Sequence, residues 1–293
     1  MPGYMSVFNP APAICAGQTV LLLSMIPFKQ RCGGETHVAR SDDGLEFAVE
    51  DEPLFTLGDL PAPYDKMNWH VIDNRVTPID DAFYIATPVL SDQGYMGPCT
   101  VLGRTRDFKD YQALGIIDYP VVRGSSLFPE RIDGKYYKLI RPGAGTGARG
   151  EIWISSSPDL LHWGDCRPLM KPGYAFWNMQ KIGPTPPIRT PEGWLTVIHG
   201  VTTPCDGSHY YVGAVLLDLD QPWKILGKTY SYLLAPEKPY ERRGHVDNVV
   251  FPCGVLADRE KDELRLYYGA ADTCVCLAAG RLSEVVRACR EEI

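Results

Sequence analysis

Asp133-Gly134-Lys135-Tyr136-Tyr137-Lys138-Leu139 is a turn running into an aromatic-rich strand, and the chain carries this form five times. The other copies are Gly17-Gln18-Thr19-Val20-Leu21-Leu22-Leu23, Asp80-Asp81-Ala82-Phe83-Tyr84-Ile85-Ala86, Glu192-Gly193-Trp194-Leu195-Thr196-Val197-Ile198 and Asp262-Glu263-Leu264-Arg265-Leu266-Tyr267-Tyr268. Acidic residues and Gly suit a tight turn. Aromatic and β-branched residues suit a pleated, half-buried strand. A second form trails several copies, a polar turn closed by an apolar or aromatic residue. It reads Arg40-Ser41-Asp42-Asp43-Gly44-Leu45-Glu46-Phe47, then Arg104-Thr105-Arg106-Asp107-Phe108, then Ser157-Pro158-Asp159-Leu160-Leu161-His162-Trp163. Strand, strand, turn, strand in repeated units is the signature of propeller blades. A β-sandwich would show fewer, more evenly spaced strands. The repeats therefore predict an all-β, five-bladed propeller spanning residues 1–293 as one domain. In such a fold the inner strands of all blades meet at the axis, so residues far apart in sequence can share one site.

Helical periodicity is confined to the C-terminus. Ser283-Glu284-Val285-Val286-Arg287-Ala288-Cys289-Arg290 reads as a short amphipathic helix with Leu282, Val285, Val286 and Cys289 on one face and Ser283 as its cap. The run Val20–Ile26 is too short to cross a bilayer and reads as a buried strand.

A chain of 293 residues with 45% apolar and 22% charged residues has the composition of a globular protein with a large core. Its net charge of −7 argues against nucleic-acid or acidic-membrane partners, which select basic surfaces. A small anion needs only a few convergent cations and stays open. The cysteines number nine and form no C-x-x-C pair, and Cys274-x-Cys276 alone is a weak metal or redox signal. Reduced thiols and the absence of a basic leader region point to a cytoplasmic protein with no metal.

Charged residues stand at the ends of several strand-like runs: Asp73, Arg123, Arg141, Lys181, His199 and Asp272. Each has a plain structural reading. Asp73 beside Arg75 fits an ion pair or turn. Arg141 fits a surface strand end, His199 a hydrogen-bonded core histidine, and Asp272 a turn cap. Taken together, one acid among several basic groups fits an anionic co-substrate held beside a proton donor. A glycosidase that uses water normally needs two carboxyl groups. Phosphate arrives already ionised, and needs Arg, Lys and His to hold it.

Ordered segments along the chain then resemble glycoside hydrolase family 130, the inverting β-mannoside phosphorylases and related β-mannosidases. The matching segments are Phe8-Asn9-Pro10-Ala11, Ala39-Arg40-Ser41-Asp42-Asp43-Gly44, Asp73-x-Arg75-Val76-Thr77, Leu127-Phe128-Pro129-Glu130 and Arg141-Pro142. They continue with Ser157-Pro158-Asp159-Leu160, Lys181-Ile182-Gly183, His199-Gly200-Val201, Gly213–Leu219, Asn248–Gly254 and Gly269-Ala270-Ala271-Asp272-Thr273. The resemblance implies a five-bladed propeller and phosphorolysis of β-1,4- or β-1,2-linked manno-oligosaccharides, or of a mannosyl-glucose, to α-mannose 1-phosphate. It implies that Asp73 is the acid, acting through a sugar hydroxyl. It assigns phosphate to Arg123, Arg141, Lys181, His199 and Tyr210, and the sugar to Arg40, Asn68, Arg75 and Asp272. It implies no cofactor beyond phosphate as co-substrate, and it allows a homo-oligomer. Many relatives carry Glu-Asp-Pro-Arg where this chain has Ile72-Asp73-Asn74-Arg75, which keeps the acid and bears on linkage preference. A β-mannoside hydrolase and a non-catalytic sugar-binding propeller are the competing readings.

Overall fold

In the computed structural model, which describes residues 3–28, 34–55, 71–89, 98–143 and 150–291, the strands fall into five antiparallel sheets in chain order. The first holds β1 (Tyr4–Cys15), β2 (Gln18–Pro27), β3 (Glu35–Ser41) and β4 (Ala48–Phe55). The second holds β5 (Arg75–Ile79), β6 (Ala82–Val89), β7 (Cys99–Thr105) and β8 (Gln112–Asp118). The third holds β9 (Val122–Leu127), β10 (Tyr136–Pro142), β11 (Ile152–Ser157) and β12 (Gly164–Met170). The fourth holds β13 (Lys181–Pro184), β14 (Ile188–Thr190), β15 (Gly193–Thr202), β16 (His209–Leu217) and β17 (Ile225–Lys228). The fifth holds β18 (Val250–Pro252), β19 (Leu256–Asp258), β20 (Glu263–Ala270) and β21 (Cys274–Arg281). These are the five blades of a propeller. The innermost strand is continuous in blades 1 to 3. In blade 4 it is split into β13 and β14, which both pair with β15, and in blade 5 into β18 and β19, which both pair with β20.

The five recurring segments are the second strands β2, β6, β10, β15 and β20. The turn before each needs a left-handed residue: Ala16 and Gly17 (φ 50° and 83°), Asp80 (54°), Asp133 and Gly134 (48° and 74°), Gly193 (156°) and Asp262 (52°). Asp and Gly adopt this conformation at low cost, which is why they mark the repeats. The second recurring form joins the third strand to the fourth. Ser41, Thr105 and Ser157 each accept a backbone N–H three residues on with their hydroxyls. Asp43, Asp107 and Asp159 accept further turn N–H groups. The residue after each Asp is left-handed again: Gly44 (76°), Phe108 (60°) and Leu160 (71°).

Because blades pack face to face, a middle strand is buried on both sides and loses the polar alternation of a surface strand. Along β2, Val20 and Leu22 join Val76, Ile85 and Phe108 of blade 2, while Leu21, Leu23 and Met25 join Tyr267 of blade 5. Along β15, Trp194 and Ile198 face blade 3 and Leu195 and Val197 face blade 5. A further cluster of Ile79, Leu102, Leu127 and Tyr136 seals blades 2 and 3. Each such aliphatic side chain contributes about 1.5–3 kcal/mol on burial, and five apolar seams close the ring. Helix α1 (Pro239–Arg242) is one turn, and α2 (Leu282–Glu291) buries Leu282, Val286 and Cys289. Gly227 lets the Cys289 carbonyl approach β17 closely. The expected Ser283 cap is not what holds the start of α2. Asp262 accepts the Ser283 N–H at 2.8 Å and its hydroxyl at 2.6 Å, so the cap comes from the turn before β20.

Candidate active site

At one end of the central axis all five blades contribute to a cavity of about 140 Å³. It is lined by Asn9, Asp73, Arg123, Arg141, Lys181, Tyr210, Val246, Val249, Phe251 and Asp272. Asp73 stands two residues before the start of β5 with φ at 60°, a left-handed conformation that Asp tolerates better than most residues. The Ser24 hydroxyl accepts its N–H at 3.0 Å, and its backbone carbonyl accepts from Arg75 Nη1 at 2.6 Å. Its Oδ1 accepts from Asn9 Nδ2 at 2.7 Å, and its Oδ2 lies 3.9 Å from Arg123 Nη1.

The basic groups come from adjoining strands. Arg123 on β9 and Arg141 on β10 are cross-strand partners. Like charges directly opposite one another are destabilising unless something negative lies between or beside them. Burial, aided by Arg123 and Arg75, pulls the Arg141 guanidinium down to about 10. Lys181 opens β13 and donates to the Tyr210 hydroxyl at 2.8 Å. Burial first, then Arg141 and Arg123, lowers the Lys181 ammonium to about 8, against the pull of Asp272 and Asp73. Burial raises the Tyr210 phenol. Gly150 makes this crowding feasible, since a Cβ there would stand 3.0 Å from both Arg141 Cδ and Lys181 Cβ. Asp272 follows β20 with φ at 49°. Burial and then the Asp73 charge push its carboxyl up to about 7, with Lys181 opposing.

The structure thus brings Asp73, Arg123, Arg141, Lys181, Tyr210 and Asp272 together, as the sequence suggested, and moves other residues out. His199 is not a cation on the cavity wall. It is buried behind Arg141, whose Nη1 donates to His199 Nε2 at 3.0 Å, and its ring lies 4.6 Å from that of Phe251. Burial and the neighbouring Arg141, Arg75 and Lys181 push the imidazole well below its usual value, so it is neutral. Gly183 leaves room for the ring. Arg75, expected at the sugar, does not line the cavity either. It is buried beside Asp73, donating to the Asp73 carbonyl and to Cys253 Sγ at 3.0 Å and lying 5.5 Å over the Phe251 ring. Arg40 lies outside the cavity. It bonds Glu50 at 2.7 Å and the Asp107 and Phe108 carbonyls, joining blade 1 to the β7–β8 turn. Asn68 lies outside the described residues, as does most of the Gly-rich stretch after Arg141.

Sequence reasoning missed Asn9 and Ser24 as partners of the acid, and Val246, Val249 and Phe251 as the apolar wall. A signal for Asn9 exists, since it is the one amide in the otherwise apolar run 7–14 of β1. The segment 244–254 both supplies β18 and borders the cavity, through Val246, Val249 and Phe251.

The arrangement can hold an anion against three cations beside a carboxyl group able to give up a proton. The sequence profile of glycoside hydrolase family 130, described as beta-1,4-mannooligosaccharide phosphorylase, matches residues 2–291. The chain is 34% identical over 290 residues to the beta-1,4-mannooligosaccharide phosphorylase of Ruminococcus albus, covering 98% of this chain and 85% of that one. It is 36% identical over 252 residues to the beta-1,2-mannobiose phosphorylase of Listeria innocua, covering 85% of this chain and 67% of that one. A solved structure of a beta-1,2-mannobiose phosphorylase from Listeria innocua, in complex with beta-1,2-mannobiose, superposes with a TM-score of 0.87 at 28% identity. That match covers 99% of this chain and 94% of the other. A profile match over nearly the whole length, with relatives above 30% identity, makes this chain a member of glycoside hydrolase family 130.

Proposed function

We propose that the protein phosphorolyses β-mannosides with inversion, giving α-mannose 1-phosphate and a shortened sugar. The observation that carries this reading is the convergence of Arg123, Arg141 and Lys181 on the cavity that holds Asp73. Hydrogen bonds to charged groups are each worth about 1.5–3 kcal/mol. A dianion there would offset the burial and the mutual repulsion that together depress Arg141 and Lys181. Asp73 gives its proton toward the glycosidic oxygen, through a sugar hydroxyl as in the family resemblance. The C1–O bond breaks with its electron pair going to the leaving sugar. A phosphate oxygen attacks C1 from the opposite face. Asp73 is left as a carboxylate, and the new phosphate ester retains the proton that phosphate brought. His199 keeps Arg141 in place, and Val246, Val249 and Phe251 limit water around the reacting sugar.

One observation favours a hydrolase. Asp272, in the same cavity and pushed up to about 7, has the properties of a base for water. Incubation of β-1,4- and β-1,2-mannobiose with and without phosphate separates the two. Phosphorolysis predicts mannose 1-phosphate only with phosphate, and loss of about a thousandfold or more in Asp73→Asn. Free mannose released at the same rate without phosphate would establish the hydrolase instead.

A further inference from the structure

Asn9 sits where β1 slips register against β2, between the Phe8–Ser24 and Ala11–Leu22 pairs, and has φ at 45°. A bulge of this kind re-aims a side chain, and here the amide reaches Asp73. The link is a clip of three residues. The Ser24 hydroxyl accepts the Asp73 N–H at 3.0 Å and donates to the Asn9 carbonyl at 3.5 Å, while Asn9 Nδ2 donates to Asp73 Oδ1 at 2.7 Å. Asn9 is 4% exposed, and its buried side-chain oxygen has no hydrogen-bond partner among the described residues. That oxygen lies over Gly269, where any Cβ would run into the amide. Turning the amide over would bury two N–H donors at that spot instead of one acceptor, the costlier arrangement.

The N–H that points at Oδ1 favours that oxygen as the proton-free, carbonyl-like one, the stronger acceptor of the two. The acid proton is then favoured on Oδ2, which lies 3.9 Å from Arg123 Nη1, beyond hydrogen-bond reach. We infer that Asn9 is a positioning residue for the acid: it favours Oδ2 as the seat of the transferable proton of Asp73 and holds the carboxylate left after transfer. This rests on Asp73 acting as the acid of the proposed phosphorolysis. It assigns to blade 1 the task of orienting the acid of blade 2, with Gly269 of blade 5 providing the space.

The test compares two leaving groups in the full-length protein. Whichever mannobiose the wild-type protein phosphorolyses needs a proton on its leaving oxygen. A 2,4-dinitrophenyl β-mannoside has a leaving group that departs without one. Asn9→Asp replaces the donor by an isosteric oxygen, and Asn9→Gly removes the amide. Both residues accept a positive φ, so neither strains the backbone. Each variant is expected to lose about a hundredfold in kcat/KM on mannobiose, within the usual worth of general acid catalysis, and less than about fivefold on the aryl mannoside. Equal losses on both substrates, the mark of a merely structural role, would overturn the inference, as would undiminished activity on mannobiose. If the wild-type protein forms no mannose 1-phosphate from either mannobiose, the proposed activity fails before Asn9 is tested. The two failures are therefore distinct.

Discussion

The two ends of the central channel are made from the same inner strands and could hardly differ more. At one end stand Asn9 of β1, Asp73 before β5, Arg123 of β9, Lys181 of β13 and Phe251 of β18, around about 140 Å³. A few residues further along the same strands and the segments that follow them come Pro12, Val76 and Pro78, Pro129, Pro186 and Pro187, and Val255, around about 480 Å³. Buried Arg75, which lines neither cavity, is fixed to the Asp73 carbonyl and Cys253. The larger cavity is lined mostly by proline and aliphatic side chains and gathers few polar groups. The smaller one holds three cations and two carboxyl groups. Volume therefore does not locate the chemistry here; convergent charge does.

Neutralising one cation at the charged end is the strongest way to break this contrast. Lys181→Met keeps the length and apolar stem of the side chain and removes its charge. Loss of one charge-assisted hydrogen bond at about 1.5–3 kcal/mol predicts a phosphate KM raised by roughly ten- to a hundredfold, with the mannoside KM within about twofold. Initial rates at varied phosphate and fixed mannoside give the first number, and the converse series gives the second. A shift in the mannoside KM alone would mean that the cations serve the sugar and that the anion site lies elsewhere.

The same end should answer to pH, and sulfate, whose charge does not change in the neutral range, reports it cleanly. A bound dianion raises the Lys181 ammonium from about 8, so the complex holds a proton that the free protein releases above that value. Affinity is then full below pH 8 and falls as pH rises through it, by at most about tenfold per unit. Ionisation of Asp272 through about 7 adds repulsion in the same direction. Calorimetric titration should therefore show sulfate binding roughly tenfold weaker at pH 9 than at pH 6.5. In the free protein the two groups act oppositely on stability. Asp272, raised from 3.8 to about 7, contributes stability present at low pH and lost as pH rises through 7. Lys181, lowered from 10.5 to about 8, makes the fold gain stability between those values as pH rises. Sulfate binding independent of pH would remove Lys181 from the anion site.

What could be read in the sequence follows from where the constraints are local. The turns before the second strands and after the third carry their own chemistry, so five blades were countable from Asp133-Gly134 and Ser157-x-Asp159 and their counterparts. The inner strands were not readable. Lys181–Pro184, Ile188–Thr190 and Val250–Pro252 are three or four residues long and two of them flank Pro184-Thr185-Pro186-Pro187, which reads as loop. Charged residues at strand ends stood out, and most of them do meet. His199 was misjudged as a cation because its state is set by burial and by Arg141 from another blade, neither of which is a sequence property. Arg40 and Arg75 were misplaced for a related reason. A motif fixes a residue's position along a strand, whereas its partner depends on the neighbouring blade.

Arg40 gives the smallest expected effect and the sharpest control. It pairs with Val20, four residues along β2 from the Ser24 that anchors Asp73. Its partner Glu50 is 41% exposed, so the ion pair is worth about 0–1 kcal/mol. Arg40→Met should leave kcat and both KM values within about twofold of wild type, while the melting temperature falls by a few degrees at most. The comparison is informative because Arg40 and Lys181 are both basic residues of the same propeller, and only one of them faces the cavity. A large rise in mannoside KM in Arg40→Met would mean that bound sugar reaches from the axis to the outer part of blade 1. The five-blade cavity would then be one portion of a longer groove, and the division between a charged end and an inert remainder would have to be redrawn.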